Sequence, residues 1–341
     1  MESAHMEMAT AGAELDALLR DQLLERKGRL QVATALDGSA GDYARLLNEV
    51  DAALAKFDSG TFGICEECHE PIEPERLLAD PLMRVCLGDL SDKQRRSLED
   101  DLQLAAEIQR RLLPLADSAR DIWKVDFVYE PAGIVSGDYC DFMFQDDALY
   151  FVLGDVSGKG MAASLLMSNL HATFRSMIPL GLALGELMGR ANHMLCESTL
   201  ANQYATLVYG RLDRGGELEI VNAGHLPPIV IKGGMKGELS FAGLPLGMFC
   251  DTKFESTKVR LGAGDSIVLF TDGVTEALDA DGTEYGSARL FDALDGVDHG
   301  DPRLVVERCH ENVAAFRGGA DRHDDLTMLA ISFAGAKEAF I

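Results

Sequence analysis

The chain has 341 residues, an apolar content of 47% and a formal net charge of −25. This length favours two domains, and the apolar content is enough for packed cores. The acidic excess argues against non-specific binding to nucleic acid or to an anionic membrane surface, and it favours metal cations.

Three further features bear on the compartment. The longest uncharged apolar stretches fall short of the ~20 residues that a membrane helix needs. The first residues carry acids and lack the basic segment of a secretory signal. The seven cysteines are an odd number. We therefore expect reduced thiols, no membrane insertion and a cytoplasmic protein.

The N-terminal part, residues 1–58, has the pattern of a helical hairpin. Leucines recur mostly at three- and four-residue spacing over residues 12–34, which predicts an amphipathic helix. The segment DGSAG at 37–41 breaks this pattern. A second helical pattern follows over 43–57. Two roles stay open at this point, a hairpin held only by its own seam and an arm that binds a partner.

Residues 59–90 contain a candidate zinc site. Cys65 and Cys68 form a CxxC pair, and Cys86 opens the segment CLGD, which stands where a second CxxC would be. Four ligands at this spacing surround zinc tetrahedrally. Asp89 holds the fourth position, and a carboxylate oxygen can also ligate zinc. The alternative is a ribbon that packing holds together without metal.

Helical patterns precede the cysteines, and residues 48–86 read NEVDAALAKFDSGTFGICEECHEPIEPERLLADPLMRVC. In this stretch the region resembles the DksA/TraR family of zinc-ribbon proteins. Asp89 departs from the family's last cysteine, and the break between the helices lacks a recognisable acidic-tip motif. The resemblance therefore implies a fold rather than a role at RNA polymerase.

Residues 91–114 form a predicted linker helix. Leu98, Ala105 and Leu112 repeat every seven residues, with Ile108 between them, which favours a homodimer through this helix. The alternative is packing of the helix on the following domain. Pro114 ends the helix.

Residues 115–335 read as one α+β domain. Strand patterns cover 124–130, 148–154, 205–212, 218–222, 228–231, 255–261, 266–270 and 326–333, and helical patterns cover 161–178, 183–199 and 303–316. The order is neither strict strand–helix alternation nor all-strand. It favours antiparallel sheets with helices packed outside them.

Four aspartates punctuate this domain at strand ends, namely Asp138, Asp155, Asp272 and Asp324, the last followed by Asp325. Taken singly, each is as well explained as a turn or helix-cap residue. Taken together, convergent carboxylates repel one another unless cations neutralise them. Carboxylate and carbonyl oxygens are ligands that Mg²⁺ and Mn²⁺ prefer, and two such ions about 4 Å apart would clamp a phosphoryl group.

Lys159 follows Asp155 in the run GDVSGKG. The spacing from Gly154 is one residue short of a P-loop and lacks its Ser or Thr. The sequence therefore excludes a P-loop nucleotide site.

A series of short motifs runs from the linker helix through this domain: EIQRRLLP (107–114), GDYCD (137–141), GDVSGKG (154–160), NAGHLPP (222–228), LPLGM (244–248), LFTDGVTEA (269–277) and DDLTMLAI (324–331). In these motifs and their order, the domain is similar to the SpoIIE/RsbU-type serine/threonine phosphatases, a bacterial branch of the metal-dependent PPM phosphatases. The resemblance covers about residues 105–334.

The resemblance implies a PPM-type αββα sandwich with two Mn²⁺ or Mg²⁺ ions between its sheets. By matched position, Asp155 would bridge both ions with the Val156 carbonyl nearby. Asp138, Asp272 and Asp324 would complete the ligand set. A metal-bridged hydroxide would attack phosphorus without a phosphoenzyme.

The resemblance also implies a function. The substrate would be a phosphorylated regulator, a STAS-like anti-sigma-factor antagonist in a partner-switching pathway. The N-terminal modules would sense or dock and pass their state through the linker helix. The alternative is a non-enzymatic transcription regulator or scaffold that acts through the ribbon. The intact set of aspartates favours the enzyme.

Overall fold

The structure is a computed structural model. It describes residues 19–20, 22–24, 26–28, 31, 40–86, 88, 92–115, 118–199, 203–240 and 243–335. The chain divides into two compact units, Met1–Asp101 and Leu102–Ile341. Within the described ranges, no helix combines the length and the apolar character needed to cross a membrane.

The first unit contains helices α1 (Ala40–Asp58) and α2 (Pro74–Ala79) and the first half of α3 (Asp92–Leu112). The described residues of the predicted helix at 12–34 are helical, and its remaining residues lie outside the described set. Leu23 packs with Val50 and Ala53 of α1, and Leu19 packs with the buried residues of the ribbon. These contacts give the small unit its core.

The second unit contains the remaining elements. Its strands are β1 (Ser118–Arg120), β2 (Trp123–Glu130), β3 (Tyr139–Gln145), β4 (Ala148–Val156), β5 (Ala205–Asp213), β6 (Glu217–Ala223), β7 (Ile229–Lys232), β8 (Met235–Glu238), β9 (Thr257–Arg260), β10 (Ser266–Phe270) and β11 (Leu326–Phe333). Its helices are α4 (Met161–Met177), α5 (Leu184–Ser198), α6 (Asp272–Thr275), α7 (Gly286–Ala293) and α8 (Pro302–Arg317), with a 3₁₀ turn at Ile178–Leu180.

The strands form two antiparallel sheets. One sheet has the order β3-β4-β5-β6-β9, and the other has the order β1-β2-β11-β10-β7-β8. Strands β3 to β6 pair in chain order. Short turns join β3 to β4 and β5 to β6, whereas the connection from β4 to β5 contains helices α4 and α5. In the second sheet β11 lies between β2 and β10, so the last described strand of the chain has an interior position in this sheet.

The residues of β4 show why the fold is layered. Leu149, Phe151 and Leu153 point into the apolar layer between the two sheets. Tyr150 and Val152 point the opposite way, into the layer under α4 and α5. Because successive strand residues face opposite sides, a continuous apolar run fits a strand that is covered on both faces.

A third apolar layer, which includes Val305 and Cys309 of α8, covers the outer face of the second sheet. The arrangement is helix, sheet, sheet, helix. The predicted αββα sandwich is therefore confirmed.

The structure also contains elements of the second unit that the sequence patterns did not indicate, namely β1, β3, β8, α6 and α7. The pattern of β3 was obscured by Asp141, an acid in a buried strand position. Arg175 of α4 donates two hydrogen bonds to the Asp141 carboxylate, at 2.6 Å and 2.5 Å. This pairing makes a buried charge tolerable at that position.

The C-terminal half of α3 belongs to the second unit and packs on its other elements. Ala106 and Gln109 are buried, and Leu112 contacts the apolar layer under α4 and α5. On the same helix, Leu104 and Ile108 are each 56% exposed. The sequence analysis left two interpretations of this helix, a homodimer contact and packing on the following domain. Packing on that domain accounts for the C-terminal half of the helix.

The expectation of reduced thiols is wrong for one pair. Cys196 in α5 and Cys250 form a disulfide, with Cα atoms 5.8 Å apart. Asn192, one turn before Cys196, donates to the carbonyls of Phe249 and Cys250. These bonds hold the 249–250 turn against α5 and bring the two sulfurs together. A separation of 54 residues in sequence hid this proximity.

Candidate metal centre

Four aspartates meet where the ends of the two sheets adjoin. Asp138 directly precedes β3, and Asp155 is the penultimate residue of β4. Because Tyr139 pairs with Gly154, these two acids are close neighbours on one sheet. Asp272 follows β10 and Asp324 lies just before β11, and those two strands are paired. The topology thus brings together acids that the sequence spreads over almost 190 residues.

The electrostatics show that the carboxylates act on one another. Burial raises the pKa of Asp155 to about 7, and the charges of Asp272, Asp324 and Asp325 act in the same direction. Burial, followed by the charge of Asp155, raises the pKa of Asp138 well above its usual range. Such crowded, partly desolvated negative charge is costly unless cations are present.

A main-chain oxygen shares this space. A Cβ placed on Gly137 would lie 3.0 Å from the Val156 carbonyl oxygen and 3.4 Å from Asp155 Oδ1. The absence of a side chain at Gly137 therefore keeps a cradle open beside both oxygens. Carboxylate and carbonyl oxygens together are the donor set that Mg²⁺ and Mn²⁺ prefer, so the residues present fit these ions.

Two threonines that the sequence patterns did not reveal hold Asp138. Thr271 Oγ1 donates to Asp138 Oδ2 at 3.0 Å, and Thr327 Oγ1 donates to the same oxygen. All three side chains are buried. Thr271 directly follows β10 and Thr327 lies in β11, both strands of the second sheet. These bonds therefore join the two sheets at the acidic centre. The only available signal was that each threonine stands within three residues of a predicted ligand.

Asp324 and Asp325, adjacent in sequence, have different contacts. Asp324 Oδ2 lies 3.1 Å from Lys159 Nζ. The Asp325 carboxylate instead accepts hydrogen bonds from the main-chain N–H groups of Ala132 at 2.7 Å and Gly137 at 2.9 Å. Asp325 thus fixes the loop that carries Asp138 and is a positioning residue.

Gly273 explains part of the TDG motif. A Cβ at this position would lie 2.0 Å from the main-chain oxygen of Asp325. Only glycine allows the start of α6, which carries Asp272, to approach the segment before β11 this closely.

The linker helix also reaches the centre. Gln109 donates from Nε2 to the Ser136 carbonyl at 2.7 Å and accepts from the Ser136 N–H at 3.0 Å. Its Nε2 also lies 3.2 Å from Ser164 Oγ of α4. The buried side-chain amide of Gln109 thus satisfies both the carbonyl and the N–H of Ser136, which lies two positions before Asp138. The sequence signal was a single polar residue on the buried side of the linker.

His225 is held as a neutral ring. Its Nε2 lies 3.2 Å from the Phe270 carbonyl and must donate to it, so Nδ1, at 2.8 Å from Thr206 Oγ1, is the acceptor. Burial lowers the pKa of His225 to about 4. Asn222 closes the turn through two bonds with the main chain of His225. The NAGH motif is therefore structural, and both ring nitrogens are already engaged.

A second candidate metal site lies in the first unit. The sulfur atoms of Cys65, Cys68 and Cys86 all lie within 4.8 Å of one another. Among the described residues, no other group of three or more His, Cys, Asp or Glu side chains is this compact. The predicted fourth ligand, Asp89, lies outside the described residues. In the part of the chain that the structure describes, the four aspartates of the acidic centre do not form such a compact group.

Fold and site together define a two-sheet αββα domain with an acidic, oxygen-rich candidate metal centre at the junction of its sheets. Residues 145–334, more than half of the chain, match the family model of Stage II sporulation protein E (SpoIIE). The chain belongs to this family. Residues 60–88 match the prokaryotic dksA/traR C4-type zinc finger, which confirms both resemblances seen in the sequence.

Individual relatives agree with this assignment. The chain is 27% identical over 185 residues to phosphoserine phosphatase RsbU of Bacillus subtilis, covering 53% of this chain and 55% of RsbU. It is 29% identical over 215 residues to phosphoserine phosphatase RsbP of the same organism, covering 60% and 50%. The chain thus spans about half the length of these curated relatives.

A solved structure supports the fold. The SiaA-PP2C domain of Pseudomonas aeruginosa superposes with a TM-score of 0.61 at 22% identity, covering 70% of this chain and 97% of that domain.

The contact of Thr327 with Asp138 can be tested by Thr327→Val, which keeps the shape and removes the hydroxyl. Since a buried carboxyl loses a donor, we expect the free energy of unfolding to fall by about 1 kcal/mol, measured by urea denaturation. Thr257→Val, an exposed change on β9, is the matched control. Equal effects of the two changes would show that the hydroxyl does not support Asp138.

Proposed function

We propose that this chain is a metal-dependent protein phosphatase that releases phosphate from phosphoserine or phosphothreonine. The observation that carries the proposal is the concentration of buried, mutually repelling carboxylates at the junction of the two sheets. Membership of the SpoIIE family and the names of the relatives RsbU and RsbP support it.

Each acid has a role in this proposal. Asp155, with the Val156 carbonyl beside it, is the central metal ligand, and Asp138, Asp272 and Asp324 complete the set. Bound Mn²⁺ or Mg²⁺ would supply an activated water and positive charge for the phosphoryl group. Asp325 and the two threonines keep the ligands in position, since they hold the 132–138 loop and the Asp138 carboxylate.

The substrate is a phosphorylated regulatory protein, a STAS-like anti-sigma-factor antagonist of a partner-switching pathway. The two relatives named phosphoserine phosphatases support this class. A cavity of about 720 Å³ also supports a macromolecular substrate. Arg317, Arg322 and His323 line it, and so does Ala132, whose N–H donates to the Asp325 carboxylate. The open, polar character of the cavity suits a protein segment better than a small apolar ligand.

Regulation passes through α3. Gln109 touches the main chain two residues from Asp138, so a shift of this helix would move the loop that carries a metal ligand. The exposed Leu104 and Ile108 on the same helix support a homodimer contact. The ribbon and the hairpin are the input module in this scheme.

The ribbon holds one zinc ion in our proposal. The sulfurs of Cys68 and Cys86 are 3.6 Å apart, close to the ~3.8 Å edge of a tetrahedron with Zn–S distances near 2.3 Å. Cys65 Sγ lies 3.4 Å from the main-chain nitrogens of Glu67 and Cys86, which donate to it, and such N–H donors favour a thiolate. Asp89 is the proposed fourth ligand.

Zinc content tests this site. The wild-type protein should carry about one zinc per chain, measured by elemental analysis after gel filtration, and Cys68→Ser should lose it. Cys309→Ser, which changes a buried thiol of the other unit, should keep it. Asp89→Ala examines the fourth ligand separately. A wild-type protein that is purified from zinc-containing medium without zinc would contradict the proposal.

Phosphate release tests the activity. We expect hydrolysis of para-nitrophenyl phosphate that rises with MnCl₂ up to about 10 mM, a range that fills weak carboxylate sites. Asp272→Asn should lower kcat/KM by about a thousandfold, because ligand loss removes several kcal/mol of charge stabilisation.

Asp251→Asn, an exposed turn position, is the control and should be unchanged. No turnover with any divalent ion in a folded protein, and none after removal of residues 1–90, would overturn the proposal. That result would favour the non-enzymatic scaffold.

A further inference from the structure

Lys159 brings a positive charge into the acidic centre. Its Nζ lies 3.1 Å from Asp324 Oδ2, and it donates to the main-chain carbonyl of His323. Burial and neighbouring carboxylates raise the pKa of Asp155 and Asp272, and the charge of Lys159 opposes both shifts. The ammonium group therefore faces the same space as the proposed metal ligands.

The turn that carries Lys159 leaves this space open. Gly158 and Gly160, on either side of Lys159, have φ values of 93° and 74°, in the left-handed region that glycine adopts readily. A Cβ at either glycine would have no neighbour within 4 Å. The Lys159 side chain is 63% exposed. A ligand arriving from solvent therefore has room beside the ammonium group.

The contacts of Lys159 leave it able to bind an anion. An ammonium group has three N–H donors and no acceptor, and the structure gives it two acceptors, Asp324 and the His323 carbonyl. Cations bound by Asp324 would share the charge of that carboxylate and weaken its hold on Lys159. A phosphate monoester carries up to two negative charges, and lysine is a compact point charge that suits phosphate oxygens.

We propose that Lys159 binds a non-bridging oxygen of the substrate's phosphoryl group and is a catalytic residue of this enzyme. The inference rests on the proposed function, because it deepens the account of the same site. It assigns a role to a motif residue that the P-loop pattern does not explain. The ligand class is a phosphate monoester dianion, with inorganic phosphate as the product that leaves from the same position.

The competing interpretation is that Lys159 serves only as a counter-ion for the carboxylates. The two ideas make different predictions for Lys159→Met. A phosphate-binding lysine affects KM and product inhibition at saturating Mn²⁺. A counter-ion affects only the affinity for Mn²⁺, which should tighten when the positive charge is removed.

Steady-state kinetics at saturating Mn²⁺ separate these outcomes. With para-nitrophenyl phosphate, Lys159→Met should raise KM and the inhibition constant of inorganic phosphate by at least about tenfold, the effect of losing one charged hydrogen bond, and should lower kcat less. Lys159→Arg should recover part of the loss. Lys258→Met, which removes an exposed lysine paired with Glu217 on the neighbouring strand at 2.7 Å, should change neither constant.

A binding measurement keeps the test independent of turnover. Relaxation of the ³¹P signal of inorganic phosphate by the Mn²⁺-loaded protein should show tight binding to the wild type and at least about tenfold weaker binding to Lys159→Met. Unchanged phosphate binding together with tighter Mn²⁺ binding would overturn the role of Lys159. A wild type without turnover would count against the proposed reaction, and the ³¹P measurement would still decide whether Lys159 binds phosphate.

Discussion

Repulsion among carboxylates at one junction of two sheets is the constraint on which the rest of the site depends. Asp155 has the most crowded position, since burial and three neighbouring acids all raise its pKa. A fold that held these groups together with no cation would lose stability and gain nothing. The surrounding hydrogen bonds keep that charge in place. The threonines donate to Asp138, and the Asp325 carboxylate accepts from N–H groups of the 132–138 loop.

The topology makes the repulsion unavoidable. Pairing of β3 with β4 places Asp138 next to Asp155, and pairing of β10 with β11 brings Asp272 near Asp324. The apolar layer between the sheets then fixes the distance between the two pairs. Because β4 is buried on both faces, a slip by one residue would exchange its two sets of apolar side chains and displace Asp155. Packing and chemistry are thus linked through one strand.

Local patterns predicted much of this structure. The sequence predicted strand β4 from its apolar run and helices α4, α5 and α8 from their periodicity. These predictions were possible because each pattern lies within one continuous segment. The acids at strand ends were predicted for the same reason, although only the resemblance to known phosphatases arranged them into one site. Both metal-site proposals therefore began from short motifs.

Long-range pairings could not be predicted. The bond of Thr327 to Asp138, the bonds of Gln109 to Ser136 and the disulfide of Cys196 join distant segments. None of them leaves a periodic trace in the sequence. Strand β3 was missed because its buried Asp141 is tolerable only with a partner that comes from another element.

The central claim is that the metal-free centre is destabilised by its own negative charge. The direct test compares urea unfolding of the wild type and Asp155→Asn, with divalent cations removed, at pH 5 and pH 8. The folded-state pKa of Asp155 is raised from 3.8 to about 7. The folded state therefore holds the Asp155 proton more tightly than the unfolded state does. The stability that this proton contributes is fully present below pH ~4 and is lost as the pH rises from there through 7.

We predict that Asp155→Asn is more stable than the wild type by about 2 kcal/mol at pH 8, that the difference shrinks at pH 5, and that Mn²⁺ stabilises only the wild type. A variant no more stable than the wild type at pH 8 would contradict the account.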